Sequence, residues 1–329
     1  MDHPFPYSDT NKRYHTYDYY LKKTYGTKCA RIPIDGGFTC PNRVSGTGCT
    51  YCSARGSGDF CADGLLPPEV QFAKEYERLT QKWGRRLPAI PYFQAYSGTF
   101  APLAHLRALY DGVFSYRYAD GTPADILALI IATRPDCLPP DVVAYLAELG
   151  RRTDLVVELG LQSADDGTLR RIRRGHDRET FLRGYHALRE AGIAVCIHII
   201  NGLPTEGASV ETREQMLATA DFVASLAPQF LKIHMLHILR GTPMEEEYLR
   251  GEIRTLTQEA YVDIVCEQLT RLPPETVICR LTGDGPADDV IAPLWTKNKR
   301  GVLAAIDKQL AAKQIWQGYH FQKNISGNI

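Results

Sequence analysis

Six apolar segments of strand length, centred near residues 30, 92, 129, 157, 197 and 232, alternate with helical patterns along most of this chain. Nothing else in the sequence restricts the fold so tightly. Parallel strands need a crossover to return to the same edge, so this rhythm predicts a parallel sheet with helices outside it. The run from Ile126 to Ala132, closed by Arg134-Pro135-Asp136, is apolar throughout. Such a run suits a strand covered on both faces. Strands are likewise expected over 89–96, 154–160, 193–200 and 229–235, and helices over 67–83, 101–115, 139–149, 165–174, 178–191 and 209–226. Six such units build either a doubly wound sheet or an incomplete barrel.

Beyond Met235 the rhythm breaks. Residues 245–270 read as helical, 275–281 as a strand and 300–312 as a helix, together an α+β extension. The expected division is a basic and aromatic lead-in over 1–25, a barrel-like unit over 26–245 and the extension over 246–329. The chain has 329 residues and is 44% hydrophobic, enough for a large core. Its formal net charge is zero, so global electrostatics selects no nucleic acid, membrane or acidic partner. One local run interleaves Lys12, Arg13, Lys22, Lys23 and Lys28 with Tyr14, Tyr17, Tyr19, Tyr20 and Tyr25. Two readings are open: a nucleic-acid contact, or an amphipathic lead-in helix with snorkelling lysines.

Nine cysteines are an odd number and are not spaced as a disulfide framework. The N-terminus shows no basic-then-apolar signal, and the longest apolar run is too short for a bilayer. A reducing cytoplasmic setting without a membrane is expected, where clustered cysteines serve metals or catalysis. Cys40, Cys49 and Cys52 form C-x8-C-x2-C in a loop rich in Gly, Pro, Ser and Thr, just after the first strand. Three thiolates bind a soft metal or an iron–sulfur cluster, and a cubane held by three leaves one iron open. Cys61 extends the pattern to four, which would suit a zinc site. The remaining five cysteines sit in or beside apolar runs, as buried thiols do.

Ligands of parallel α/β folds lie at the C-terminal ends of the strands. There this chain carries the cysteine loop, Gln94 and Ser97, Thr133 and Arg134, Glu158 and Gln162, His198, then Lys232, His234 and His237.

These features together resemble the radical S-adenosylmethionine (SAM) enzymes. The long first gap of the cysteine motif is similar to the branch containing the Elongator catalytic subunit, as are Glu158-Leu159-Gly160-Leu161-Gln162-Ser163, Leu169 to His176, Gly202-Leu203-Pro204 and Leu231-Lys232-Ile233-His234. The stretches Gly37 to Arg43, Tyr92 to Tyr96, Thr133 to Cys137 and Ala292 to Trp295 resemble the YhcC/YtqA-type family, and the likeness runs from about residue 25 to 310. The resemblance implies an incomplete (β/α)6 TIM-like barrel. It implies a [4Fe–4S] cluster on Cys40, Cys49 and Cys52, with SAM on the open iron. One electron would then release a 5′-deoxyadenosyl radical that takes hydrogen from substrate. By position in the family's motifs, Arg174 is expected at the SAM carboxylate, Glu158 and Gln162 at its amino group or ribose, and His198 at the ribose. The backbone of Gln94 to Ser97 is expected at the methionyl moiety, and Thr133 is a further expected cofactor contact. The implied substrate is a tRNA wobble-uridine side chain, and the implied electron donor a flavodoxin or ferredoxin. The same chemistry on a small molecule and a zinc-stabilised nucleic-acid-binding module without catalysis are the rival readings.

Overall fold

A computed structural model of the chain describes residues 5, 10–56, 61, 64–283, 285 and 288–321. In chain order these form α1 (Tyr17–Tyr25), β1 (Ala30–Ile34), α2 (Pro41–Val44), α3 (Pro68–Trp83), β2 (Ala89–Phe93), α4 (Leu103–Gly112) and β3 (Ala128–Thr133). Then follow α5 (Pro140–Gly150), β4 (Asp154–Gln162), α6 (Asp166–Arg171), α7 (Arg178–Glu190), β5 (Ala194–Asn201), α8 (Arg213–Leu226) and β6 (Phe230–Met235). The rest is β7 (Ile238–Leu239), α9 (Pro243–Leu249), α10 (Gln258–Arg271), β8 (Val277–Arg280), β9 (Val290–Ala292) and α11 (Lys299–Ala312).

Seven parallel strands pair in the order β1-β2-β3-β4-β5-β6-β8. Strand order follows chain order without reversal, which distinguishes a barrel from a doubly wound sheet. The sheet curls into an open half-barrel, the fold of an incomplete TIM-like barrel. Alternation sorts the faces. On β4, Leu155, Val157 and Leu159 join the outer core with Phe181 and Leu188 of α7. Val156 and Glu158 point the other way, into the barrel.

Two expectations need correction. Residues 245–270 are not one helix: α9 stops at Leu249, and Gly251 turns the chain at φ +76° before Thr257 caps α10. The strand near 278 is not outside the barrel unit. It is β8, the seventh strand, hydrogen-bonded to β6. Its connection carries β7, α9 and α10 where the earlier units carry a simpler crossover, which hides the rhythm.

The lead-in run forms α1, capped by Thr16 and ended by left-handed Gly26. Its apolar face packs against inward-facing residues at the lower end of the sheet. Leu21 joins one apolar cluster with Ile90, Tyr92 and Ile130, and the rings of Tyr17 and Tyr20 sit edge-on to Phe230 at 6.2 and 5.1 Å. Tyr14 is buried and Tyr25 donates to Asp154 at 2.7 Å. Lys22 and Lys23 stay exposed. Of the two readings of this run, the structure builds the packed amphipathic helix. Among the described residues, no helix is long and apolar enough to cross a membrane.

Candidate active site

The cysteine loop leaves β1 and returns across the mouth of the barrel. Cys40 precedes α2, whose first residue, Pro41, has no N–H to leave unpaired. Arg43 ties the loop to itself by donating to the carbonyls of Cys52 and Ser53. Asn42 reaches over to the Arg173 carbonyl at 2.7 Å, and the Thr50 N–H donates to the Ile172 carbonyl at 3.0 Å. The loop is therefore pinned to the end of α6 and not only to its own strand.

One cavity of about 230 Å³ lies beneath it. Cys40, Cys49 and Cys52 line its upper wall, and all seven other candidate residues from the sequence line the same space. Arg174 is buried; its Nη2 donates to the Gly160 carbonyl at 2.7 Å and its Nη1 approaches Cys49 Sγ at 3.8 Å. Arg134, also buried, holds the Arg174 carbonyl at 2.8 Å while its fork grips Asp136. Gln162 ends β4 at a bulge in the left-handed region, φ +77°, a costly conformation for a side chain of this size. Ser97 is fully buried. Gln94 donates to Cys61 Sγ at 3.5 Å. Thr133 shares a 2.6 Å hydrogen bond with Thr99, which also donates to the Cys137 carbonyl, so this hydroxyl braces the wall.

Glu158 differs from the expected ligand contact. It lies deeper, in an ion pair with Lys232 and accepting from the Tyr92 hydroxyl at 2.9 Å. Burial pulls its carboxyl up, but Lys232, His198 and Tyr92 together hold it below the usual range. His198 meets His234 edge-to-face at 4.2 Å. Burial holds His198 down to about 4, so its imidazole is neutral at pH 7.

Sequence reasoning missed several residues here. Tyr92, Arg43, Tyr51 and Arg280 line the same cavity, and Lys232 and His234, which the sequence placed at a strand end without a role, join the site with them. A charge inside an apolar strand was the available signal: Lys232 interrupts Phe230 to Met235, and Arg31 interrupts Ala30 to Ile34.

Residues 37–222 match the Radical SAM superfamily, and residues 228–312 match the Radical_SAM C-terminal domain. The chain belongs to the radical SAM superfamily. It is 46% identical over 326 residues to a Bacillus subtilis (strain 168) protein named "Uncharacterized protein YtqA", covering 98% of this chain and 97% of that one. It is 27% identical over 165 residues to the tRNA uridine(34) acetyltransferase of Methanocaldococcus infernus, which is 50% of this chain and 30% of that protein. Among solved structures, archaeal Methanocaldococcus infernus Elp3 with an N-terminal deletion aligns with TM-score 0.64 at 18% identity, over 88% of this chain and 64% of that one. At that identity the likeness speaks for the fold.

Radical SAM membership implies a [4Fe–4S] cluster and SAM, and the residues present fit both. Among the described residues no three His, Cys, Asp or Glu side chains gather tightly enough to hold a single metal ion. A tetrahedral zinc site would require that closeness. A cubane does not, because each thiolate binds its own iron. Cys61 contacts Gln94 and is not among the residues lining the cavity. Buried polar atoms argue for SAM: Ser97 Oγ, Gln162 Oε1, Arg174 Nε, His198 Nε2 and His234 Nε2 have no partner among the described residues, and all five residues line the cavity. Buried polar groups are nearly always paired, so five orphans around one space mark a ligand's outline.

Proposed function

We propose that this protein is a radical SAM enzyme whose cluster is held by Cys40, Cys49 and Cys52 and whose substrate is a wobble-uridine side chain of tRNA. The convergence of three thiols and five orphaned polar atoms on one cavity carries the reading of the cofactors. When bound, the cluster and SAM supply a 5′-deoxyadenosyl radical that removes a hydrogen atom from substrate. The chain's own residues bind and orient. Arg174 presents a guanidinium to the SAM carboxylate, where a charge-assisted contact favours Arg. Gln162 and neutral His198 offer hydrogen bonds to the amino group and ribose, and Ser97 with Gln94 meets the methionyl end. Thr133 and Arg134 keep that wall in place. The β1 loop and α6 close the top, limiting water at the reacting atoms. A reducing cytoplasm and a one-electron donor such as flavodoxin or ferredoxin complete the scheme.

The tRNA reading is supported by the likeness to the tRNA uridine(34) acetyltransferase. Tyr17, Tyr20 and Tyr25 of α1 lend nothing to it, since they pack against the lower end of the barrel.

Anaerobic reconstitution tests the cofactors. The wild-type protein should gain the broad visible absorbance of a cluster and cleave SAM when reduced. Cys49→Ala should abolish both and Cys61→Ala neither; equal loss from the two would restore the four-cysteine zinc site. For the substrate, tRNA from a strain lacking the gene should lose one wobble-uridine modification and accumulate its precursor. An unchanged modification profile would refute the tRNA assignment and leave the cofactor chemistry standing.

A further inference from the structure

Of the five orphaned atoms around the cavity, four belong to residues given SAM contacts above; the fifth, His234 Nε2, does not. Its strand sets it apart. β6 lies further across the sheet from β1 and the cysteine loop than the strands that carry Ser97, Gln162 and His198. Register pairs His234 with Ile200, and places Lys232, two residues earlier on the same face, beside His198. Lys232 is already taken up by Glu158 and the Tyr92 hydroxyl. What His234 leaves unmet is a neutral hydrogen bond. Burial first, then His198, Arg280 and Lys232, keep its imidazole uncharged. The His198 ring stands edge-to-face with it, centroids 4.2 Å apart. Ile200, in register with it, and Leu236 and Leu239, which follow it in the chain, line the same cavity with apolar surface.

We propose that His234 recognises the substrate, its Nε2 hydrogen-bonding to an uncharged polar atom on the edge of the uracil ring while Ile200, Leu236 and Leu239 cover the ring's face. This rests on the wobble-uridine reading above and names the residue that makes the contact. Sites for small neutral groups are mostly apolar, with a few polar atoms that fix orientation. A neutral imidazole carries one donor and one acceptor. Uracil presents an imide N–H between two carbonyls, so either tautomer of His234 finds a complement on its edge. An anionic group would gain no ion pair from this ring. A wholly apolar group would leave Nε2 buried and unpaired, which is unfavourable. The contact is therefore also a filter, because a ring without that polar edge would bind less well.

Kinetics of the anaerobic, cluster-loaded full chain test this, with tRNA isolated from a strain lacking the gene as substrate. His234→Phe keeps an aromatic ring beside His198 and removes the hydrogen bond. It should lower kcat/KM for tRNA about tenfold or more, while affinity for SAM in equilibrium dialysis stays within about twofold of wild type. It should also melt no lower than wild type, since it removes an unpaired buried atom. Should it not fold, His234→Leu carries the same kinetic expectation. His234→Gln, whose amide restores a neutral donor and acceptor, should recover much of the loss. A fall in SAM affinity matching the fall in kcat/KM would make His234 a SAM contact and overturn the proposal. So would wild-type turnover by His234→Phe, or His234→Gln no better than His234→Phe. If the wild-type enzyme itself leaves this tRNA unmodified, the substrate reading is refuted and the uracil contact falls with it, whereas wild-type turnover with an unimpaired variant overturns this proposal alone.

Discussion

Gly160→Ala separates the fold from its cofactor contacts. Gly160 lies on β4 opposite His198, just before the bulge that turns Gln162. A Cβ there would come within 2.5 Å of both Arg174 Nη2 and Gln162 Nε2, closer than real Cβ atoms approach anything. Both obstacles are the far ends of flexible side chains, so the strand can keep its place while the two side chains move. Arg174 then loses its 2.7 Å bond to the Gly160 carbonyl. A hydrogen bond to a charged group contributes about 1.5–3 kcal/mol, so unfolding in denaturant should show a loss of roughly that size. The contact proposed between Arg174 and the SAM carboxylate is of the same kind, and losing it should weaken SAM binding roughly ten- to hundredfold. The three cysteines do not touch the new methyl group, so the reconstituted protein should keep its full visible absorbance. Equilibrium dialysis of SAM against the anaerobic, cluster-loaded variant reads the affinity directly. Gly150→Ala is the control, since its Cβ would meet nothing nearer than 3.8 Å. If Gly160→Ala binds SAM as tightly as wild type while losing stability, Arg174 is a structural residue and its assignment fails.

Other consequences follow from the same geometry. Lys232→Met strands Glu158 in the barrel and should cost about 3–5 kcal/mol in denaturant unfolding, whereas adding Glu158→Gln should recover much of it; a double variant no better than the single would mean that the pair is not coupled. Gln162→Gly relieves a left-handed side chain and should leave stability unchanged or raised by up to about 1 kcal/mol, while SAM cleavage falls. Equal cleavage would remove Gln162 from the site. Glu211 is buried against the hydroxyls of Ser163 and Thr168, and burial pushes its carboxyl up to about 7 from 4.5. The folded state thus holds a proton that the unfolded state has released, so stability should fall by about 3 kcal/mol as pH rises from about 4.5 to 7 and then level off. Glu211→Gln should flatten that part of the pH profile of unfolding, and an unaltered profile would show that Glu211 ionises freely.

How much of this was legible beforehand depended on distance along the chain. The six strands were visible to within a few residues because apolar runs and Gly or Pro punctuation are local signals. The seventh was seen as a strand but not as part of the sheet, because its link to β6 passes through a short strand of another sheet and two helices. The candidate site residues were chosen through a rule of the fold, that chemistry gathers at strand C-termini, and they line one cavity. Their partners were not visible. Glu158 meets Tyr92 and Lys232 at separations of 66 and 74 residues, and no local pattern couples them. The tyrosines of α1 could be counted in the sequence, but which surface they faced could not.

Depth along the barrel supplies what those separations concealed. At the lower end α1 packs on the sheet with apolar and aromatic contacts. One layer up, Glu158, Lys232 and Tyr92 satisfy one another. At the top stand the orphaned atoms of Ser97, Gln162, Arg174 and His198 beside the three thiols. Unmet demand thus rises toward the mouth, where it is for hydrogen bonding and metal ligation. A chain stabilising only itself would not leave that gradient, because each unpaired buried group works against folding. The gradient supports the proposed arrangement, with the cofactors at the mouth and the substrate beneath them, beside His198 and His234.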